Sequence, residues 1–173
     1  MNEIEQYLRV NNLEIVGLPE PNENETETEM IIDALNNLRG LQDEIKIGDV
    51  DIAHPIPSKR RDNKRVAVIK FISRFTKFDI LQAKKQDRNI KFRDRDLFIN
   101  EHLSPTNRTL FARASELKRE QEYKFLWTKN GVPYMRQNET SEIFAITCDE
   151  DLNKLPLKIE IKENEEVVAV VEE

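Results

Sequence analysis

An α+β chain in two parts is what this sequence predicts, and three observations carry the prediction. Segments of strand and helix type follow one another as β-α-β-β-α-β within residues 12–95. A Ser-Pro helix start and an Asn-Gly turn punctuate residues 96–154. The composition, 38% hydrophobic and 35% charged over 173 residues, allows modest cores.

Taken in order, residues 1–11 read as the end of a helix, with Ile4, Tyr7 and Leu8 at helical spacing before Asn11-Asn12 breaks it. Leu13–Leu18 is a short apolar strand closed by Pro19 and Pro21, and an acidic loop follows. Glu29–Leu38 is a helix, because Met30, Ile31, Ala34, Leu35 and Leu38 recur at its period and Gly40 stops it. Asp49–Ala53 is a second strand, ended by Pro55 and Pro57. Beyond the basic loop 58–64, Arg65–Ile72 is a strand dense in β-branched residues. Arg74–Gln86 is a helix whose apolar side comes from Phe75, Phe78, Ile80, Leu81 and Ala83, and Ile90–Phe92 is a brief strand. This order is the ferredoxin-like split βαβ arrangement, which RNA-recognition-motif domains share.

Leu97–Asn100 opens the second part, a small α/β domain, as a strand. Ser104 supplies a capping oxygen and Pro105 sits where a helix needs no N–H, so a helix starts there, with Leu110, Ala114 and Leu117 as its buried stripe and Phe111 beside it. Tyr123–Thr128 and Val132–Arg136 flank Asn130-Gly131, the strongest short hairpin signal. Ile143–Thr147 is a third strand and Asp149–Leu152 a helical turn. Residues 155–173 are an acidic tail, either a hairpin of Leu157–Ile161 with Val167–Val171 or disordered.

The net charge of -6 conceals a strong pattern. Residues 1–53 carry 13 acidic and 3 basic side chains, residues 54–136 carry 9 acidic and 21 basic, and residues 137–173 carry 11 acidic and 3 basic. A basic centre between acidic ends points to a polyanionic partner, most often nucleic acid. The single cysteine, Cys148, excludes an intramolecular disulfide, and its apolar surroundings read as core. Two histidines supply no zinc set; His102 reads as a loop-ordering residue and His54 as polar surface at a strand end. There is neither a secretory signal nor a membrane-spanning apolar run, so an intracellular chain, cytoplasmic or nuclear, is expected. Without a glycine-rich phosphate loop, metal set or nucleophile elbow, the chain reads as no enzyme, with no cofactor and no small-molecule substrate.

The third strand of RNA-recognition domains has a basic residue first and aromatics that stack bases. Here the segment is Lys64-Arg65-Val66-Ala67-Val68-Ile69-Lys70-Phe71. The frame fits, but Val66 and Val68 stand at the stacking positions, and Glu14 stands where the first strand would carry an aromatic. What remains on this strand is lysine and arginine meeting phosphates, a salt-sensitive and sequence-tolerant chemistry.

Two stretches carry a family resemblance. Glu5–Glu20 (EQYLRVNNLEIVGLPE) resembles the junction of coiled coil and RNA-recognition-like domain in first-open-reading-frame proteins of LINE-type retrotransposons. Leu97–Arg113 (LFINEHLSPTNRTLFAR) and Phe125–Arg136 (FLWTKNGVPYMR) resemble the C-terminal domain of those proteins and the few-polyhedra (FP) protein of baculoviruses. The resemblance implies residues 1–11 as the remnant of a coiled-coil helix, 12–95 as an RNA-recognition-motif-like domain, and 96–154 as a nucleic-acid-binding domain. It also implies a nucleic-acid chaperone that coats single-stranded RNA or DNA, and self-association through an upstream coiled coil of which only Ile4–Leu8 remains here.

The residues expected at phosphates are Arg60, Arg61, Lys64 and Arg65 in the loop before the third strand, with Lys70 on the strand. Lys84, Lys85, Arg88, Lys91, Arg93 and Arg95 form the densest run, at the boundary of the two parts, where Asp87, Asp94 and Asp96 are interleaved. Arg108 and Arg119 share a helix face with Ala112 and Ser115. Lys129, Tyr134 and Arg136 lie on the hairpin, with Tyr134 as a stacking residue and Trp127 more a core residue than a stacking one. The competing expectation is a viral or domesticated adaptor that keeps the fold and binds proteins through its acidic ends.

Overall fold

A computed structural model describes residues 1–157. It is mixed α/β with antiparallel sheets, and it divides into two units: Tyr7–His102, and Met1–Gln6 together with the chain from Leu103. The chain opens on helix α1 (Asn2–Tyr7).

The first unit contains β1 (Asn12–Val16), α2 (Glu27–Asn36), β2 (Val50–Ile56), β3 (Val66–Phe71), α3 (Arg74–Gln86), β4 (Lys91–Phe92), β5 (Arg95–Asp96) and β6 (Phe98–Glu101), with a 3-10 turn at Ile47–Asp49. Four strands form an antiparallel sheet in the order β2-β3-β1-β6. Alternation along the strands sends Leu13, Ile15, Ala67, Ile69, Phe71 and Ile99 into a core with Met30, Ile31 and Leu35 of α2 and Ile80 and Ala83 of α3. Each large side chain so buried stabilises by about 1.5–3 kcal/mol. The opposite face carries Glu14, Val16, Val66, Val68 and Asn100, with Glu14 directly between Val68 and Asn100.

Several expectations change. Helix α2 starts two residues early, because Thr26 and Glu29 form a reciprocal capping box that satisfies the first free amides. Strand β2 continues through Pro55, which the sheet tolerates because β2 is an edge strand. The brief strand expected near Ile90–Phe92 forms as β4 but lies outside the four-stranded sheet: Lys91–Phe92 pairs with Arg95–Asp96, across Arg93 and Asp94 at positive φ. Leu97–Asn100, expected to open the second part, instead supplies the fourth strand of the first sheet, paired to β1 with Ile99 in the core. Gly17, at φ +100°, allows that approach, since a Cβ there would lie 2.2 Å from the Asp96 carbonyl oxygen.

Helix α3 has the expected span and an unexpected orientation. Phe75 is 74% and Phe78 57% exposed, while Lys77 is 5% exposed. The buried ammonium of Lys77 donates to the Val10 carbonyl at 2.9 Å and pairs with Glu101 at 3.1 Å. Paired and hydrogen-bonded in this way, a lysine can occupy an interior position, and the two phenylalanines turn outward.

The second unit holds α4 (Pro105–Glu120), β7 (Phe125–Lys129), β8 (Val132–Arg136), β9 (Phe144–Ala145) and α5 (Asp149–Asn153). Strands β7, β8 and β9 form an antiparallel sheet, and Leu110, Ala114, Tyr123, Met135, Ile146, Leu152 and Leu155 form the core. Asn130 and Gly131 both take positive φ, as a two-residue primed turn demands. Ser104 caps α4 by accepting from the Asn107 amide at 3.2 Å. Residues of α1 complete this cap: Gln6 Oε1 accepts from the Ser104 amide at 2.7 Å and from Asn107 Nδ2 at 3.2 Å, and Ser104 Oγ donates to Asn2 Oδ1 at 2.6 Å. Gly131 leaves the room that Gln6 needs, for a Cβ would come within 2.1 Å of its amide. Cys148 is exposed rather than core, because it stands at the N-cap of α5, where the chain leaves the sheet.

The proposed tail hairpin lies outside the described residues. Among the described residues, no helix is long and apolar enough to cross a membrane, and no group of His, Cys, Asp or Glu is placed to hold a metal ion.

Candidate nucleic-acid interface

The hairpin register settles which side chains of the second unit face outward. Pairing of Phe125 with Arg136, Trp127 with Tyr134, and Lys129 with Val132 puts these six on one face of the sheet. Leu126 and Met135 alternate to the other face and pack with Leu110 and Ala114. Trp127 and Tyr134 stack on each other, with ring centroids 6.0 Å apart and planes inclined by 18°. Both are partly exposed, so Trp127 is a face residue, not the core residue expected. The Arg136 guanidinium lies 5.2 Å and the Lys124 ammonium 5.3 Å from the Phe125 ring centre. Arg136 also donates to the Glu139 carbonyl at 2.7 Å. Lys124 pairs with the Glu139 carboxylate and holds that carboxyl below its ordinary range. Lys129 is exposed beside the turn, and Ala145 of β9 pairs with Tyr134, leaving a small side chain at the edge of the aromatic pair.

Sequence reasoning missed Lys124, Phe125 and Trp127 as members of this face. The signal was present: a two-residue turn at Asn130-Gly131 pairs 127 with 134, and strict alternation then gives Phe125 the same side. Arg108 and Arg119 are both exposed on α4, Arg119 in its last turn.

In the first unit the expected phosphate ligands fall into two groups. Some are held by carboxylates. Arg65 makes two 2.6 Å bonds to Glu27 and a 3.3 Å contact to Glu20. Arg93 grips Glu25 at 2.5 and 2.8 Å, which lowers the Glu25 carboxyl, and lies 4.6 Å from the Phe92 ring. Lys70 is 3.3 Å from Asp51, and Lys91 is 3.8 Å from Asp96. Arg60 binds Asp62 through Nε at 3.0 Å and Nη2 at 2.8 Å, which draws the Asp62 carboxyl down to about 2.

Other cations are less committed. Arg61, Lys85, Arg88 and Arg95 are exposed and have no ion pair among the described residues. Lys64 sits 4.7 Å from the ring of Phe98, at the edge of the outer sheet face. Lys84 reaches Asn100 at 3.4 Å, and burial pushes its ammonium below the usual lysine value while the Glu101 charge pulls the other way. The run Lys84–Arg95 lies within the first unit, where the interleaved acids Asp87, Asp94 and Asp96 are also placed.

Residues 104–156 match the family described as Baculovirus FP protein domain 2. A search of curated proteins finds no match to the chain. The matched span contains α4, the β7–β8 hairpin with its aromatic face, β9 and α5. By that match, residues 104–156 are similar to the second domain of the baculovirus FP protein.

Proposed function

We propose that this chain binds single-stranded nucleic acid with little sequence preference and acts without catalysis, as a nucleic-acid chaperone in an intracellular ribonucleoprotein of a virus or a LINE-type mobile element. The observation that carries this reading is the outer face of the β7–β8–β9 sheet. A stacked Trp127–Tyr134 pair lies beside Phe125, with Lys124, Lys129 and Arg136 around it. Aromatic rings accept any base on their π-faces, and the cations meet the backbone on either side. The first unit adds phosphate contacts from Arg61, Lys64, Lys85, Arg88 and Arg95. Its sheet order, with the fourth strand beside the first and the third beside the second, fits an RNA-recognition-motif-like, ferredoxin-like fold.

One observation favours the adaptor reading instead. Glu14 lies at the centre of the first sheet's outer face, and Arg65 and Arg93 are neutralised by glutamates of the acidic N-terminal third.

Fluorescence anisotropy with labelled single-stranded RNA, single-stranded DNA and duplex, each across a salt series, separates the two readings. Binding of both single strands that weakens steeply with salt is expected, with duplex bound more weakly. A folded protein that binds none of them at low salt overturns the proposal.

A further inference from the structure

We infer that the solvent side of α3 is a self-association surface on which a second copy of this chain docks, helix beside helix and parallel, through Phe75 and Phe78. With Lys77, Ile80 and Ala83 turned inward, the outward line of the helix is Phe75, Phe78, Gln82 and Lys85. Ile72, 65% exposed, precedes it and donates its amide to the Asp49 carbonyl at 3.0 Å, so its backbone is held to the turn that carries the exposed Ile47. Single exposed apolar residues are ordinary, but a cluster of large ones on one element marks an interaction site.

The spacing names the occupant. Positions 75, 78, 82 and 85 advance by three, four and three residues, the seam of a coiled coil, with apolar side chains at the first two. Arg74 immediately precedes the first seam residue and Asp79 immediately follows the second. When two such helices run parallel, the residue before a seam position faces, on the other helix, the residue five places further on. Arg74 then meets Asp79 of the second copy, and two-fold symmetry makes the pair twice. In an antiparallel pair like flanks meet, and Arg74 and Lys85 of both copies crowd one edge. Among the described residues neither Arg74 nor Asp79 has an ion pair, whereas Arg60, Arg65 and Arg93 of the same unit are all engaged. The charge pattern therefore selects a parallel second copy. Gln82 and Lys85 end the apolar seam after one heptad, which makes the contact weak alone and effective where several chains are already held together, as along a shared strand.

Sedimentation velocity of the full chain over a concentration series, without nucleic acid, tests the surface. A reversible dimer is expected. Phe75→Glu with Phe78→Glu, with folding checked by circular dichroism, weakens it about 100-fold or more. Arg74→Asp alone and Asp79→Arg alone each weaken the dimer, and the two together restore it. In a Cys148→Ser background, Phe75→Cys gives a disulfide-linked dimer on mild oxidation, because first-seam residues face each other in a parallel pair. A monomer at every concentration overturns the inference. So does a dimer indifferent to the Phe75 and Phe78 substitutions, which would place self-association elsewhere, for instance on the exposed Ile4 and Leu8.

Discussion

The two sheets of this protein solve the same packing problem and leave opposite surfaces behind. Each is antiparallel and packs one face against helices. On the first, the face away from the helices carries Val16, Val66 and Val68, all buried, around Glu14, with the half-exposed Phe98 beside Val16, and Arg65, Lys70 and Arg93 of this unit are bound to carboxylates. On the second, the equivalent side carries Phe125, Trp127 and Tyr134 with Lys124 and Arg136 against the rings. Identical alternation thus yields, in one case, buried valines around Glu14 with Lys64 over Phe98 at the edge, and in the other an aromatic, cationic face. Under the proposed function, base stacking is assigned to the second sheet and salt-sensitive phosphate contacts to the margins of the first.

The harshest way to break this comparison is to destabilise one sheet and watch the other. Lys77→Met removes the buried ammonium that pairs with the Glu101 carboxylate at 3.1 Å and should cost the first unit about 3–5 kcal/mol. Adding Glu101→Leu should recover much of it. Trp127, the single tryptophan, reports only the second unit. Denaturation followed by far-ultraviolet circular dichroism should therefore show the loss, while tryptophan fluorescence keeps its transition; fluorescence that moves in step would mean the units do not unfold separately.

Next in size, Trp127→Ala with Tyr134→Ala should weaken single-strand binding by about 1–3 kcal/mol for each base that stacks. The slope of log affinity against log salt should stay nearly unchanged, because no phosphate contact is lost. Arg61→Ala with Lys64→Ala should do the converse, a smaller loss at low salt and a slope reduced by about 0.7 for each phosphate contact removed. If the aromatic pair alters the slope and the basic pair does not, the assignment of roles is reversed.

The smallest effect concerns the Arg60–Asp62 clasp. Its carboxyl is depressed from 3.8 to about 2 by the Arg60 guanidinium, so the favourable contact is complete above pH 3.8 and is lost as pH falls through about 2. A carbon-detected titration should place the Asp62 midpoint near 2, and Arg60→Ala should return it toward 3.8. At neutral pH, Asp62→Asn should release Arg60 and raise single-strand affinity slightly, with a steeper salt slope.

Much of the fold was legible because its signals are local. Ser104-Pro105 started a helix where expected, Asn130-Gly131 turned the hairpin, and α3 spans Arg74–Gln86 as its pattern predicts. The charge blocks were equally plain, yet they misrepresent the site. Arg65 and Arg93 counted toward a basic surface, but their partners Glu27 and Glu25 are 38 and 68 residues away in the chain. Helix α3 has apolar residues all round, so its pattern names no inner face.

By itself, then, the sequence determined the elements, the turns, the caps and the sign of each charge block, since these follow from φ preferences, nearby donors and acceptors, and composition. Only the tertiary structure decided that Leu97–Asn100 pairs with β1, that Lys77 goes inward to Val10 and Glu101 while Phe75 and Phe78 go out, and that Trp127 looks away from the core. Those outcomes rest on contacts between distant segments: which strand edge is free, and which carboxylate meets a buried ammonium. Such energies exist only once the chain has closed on itself.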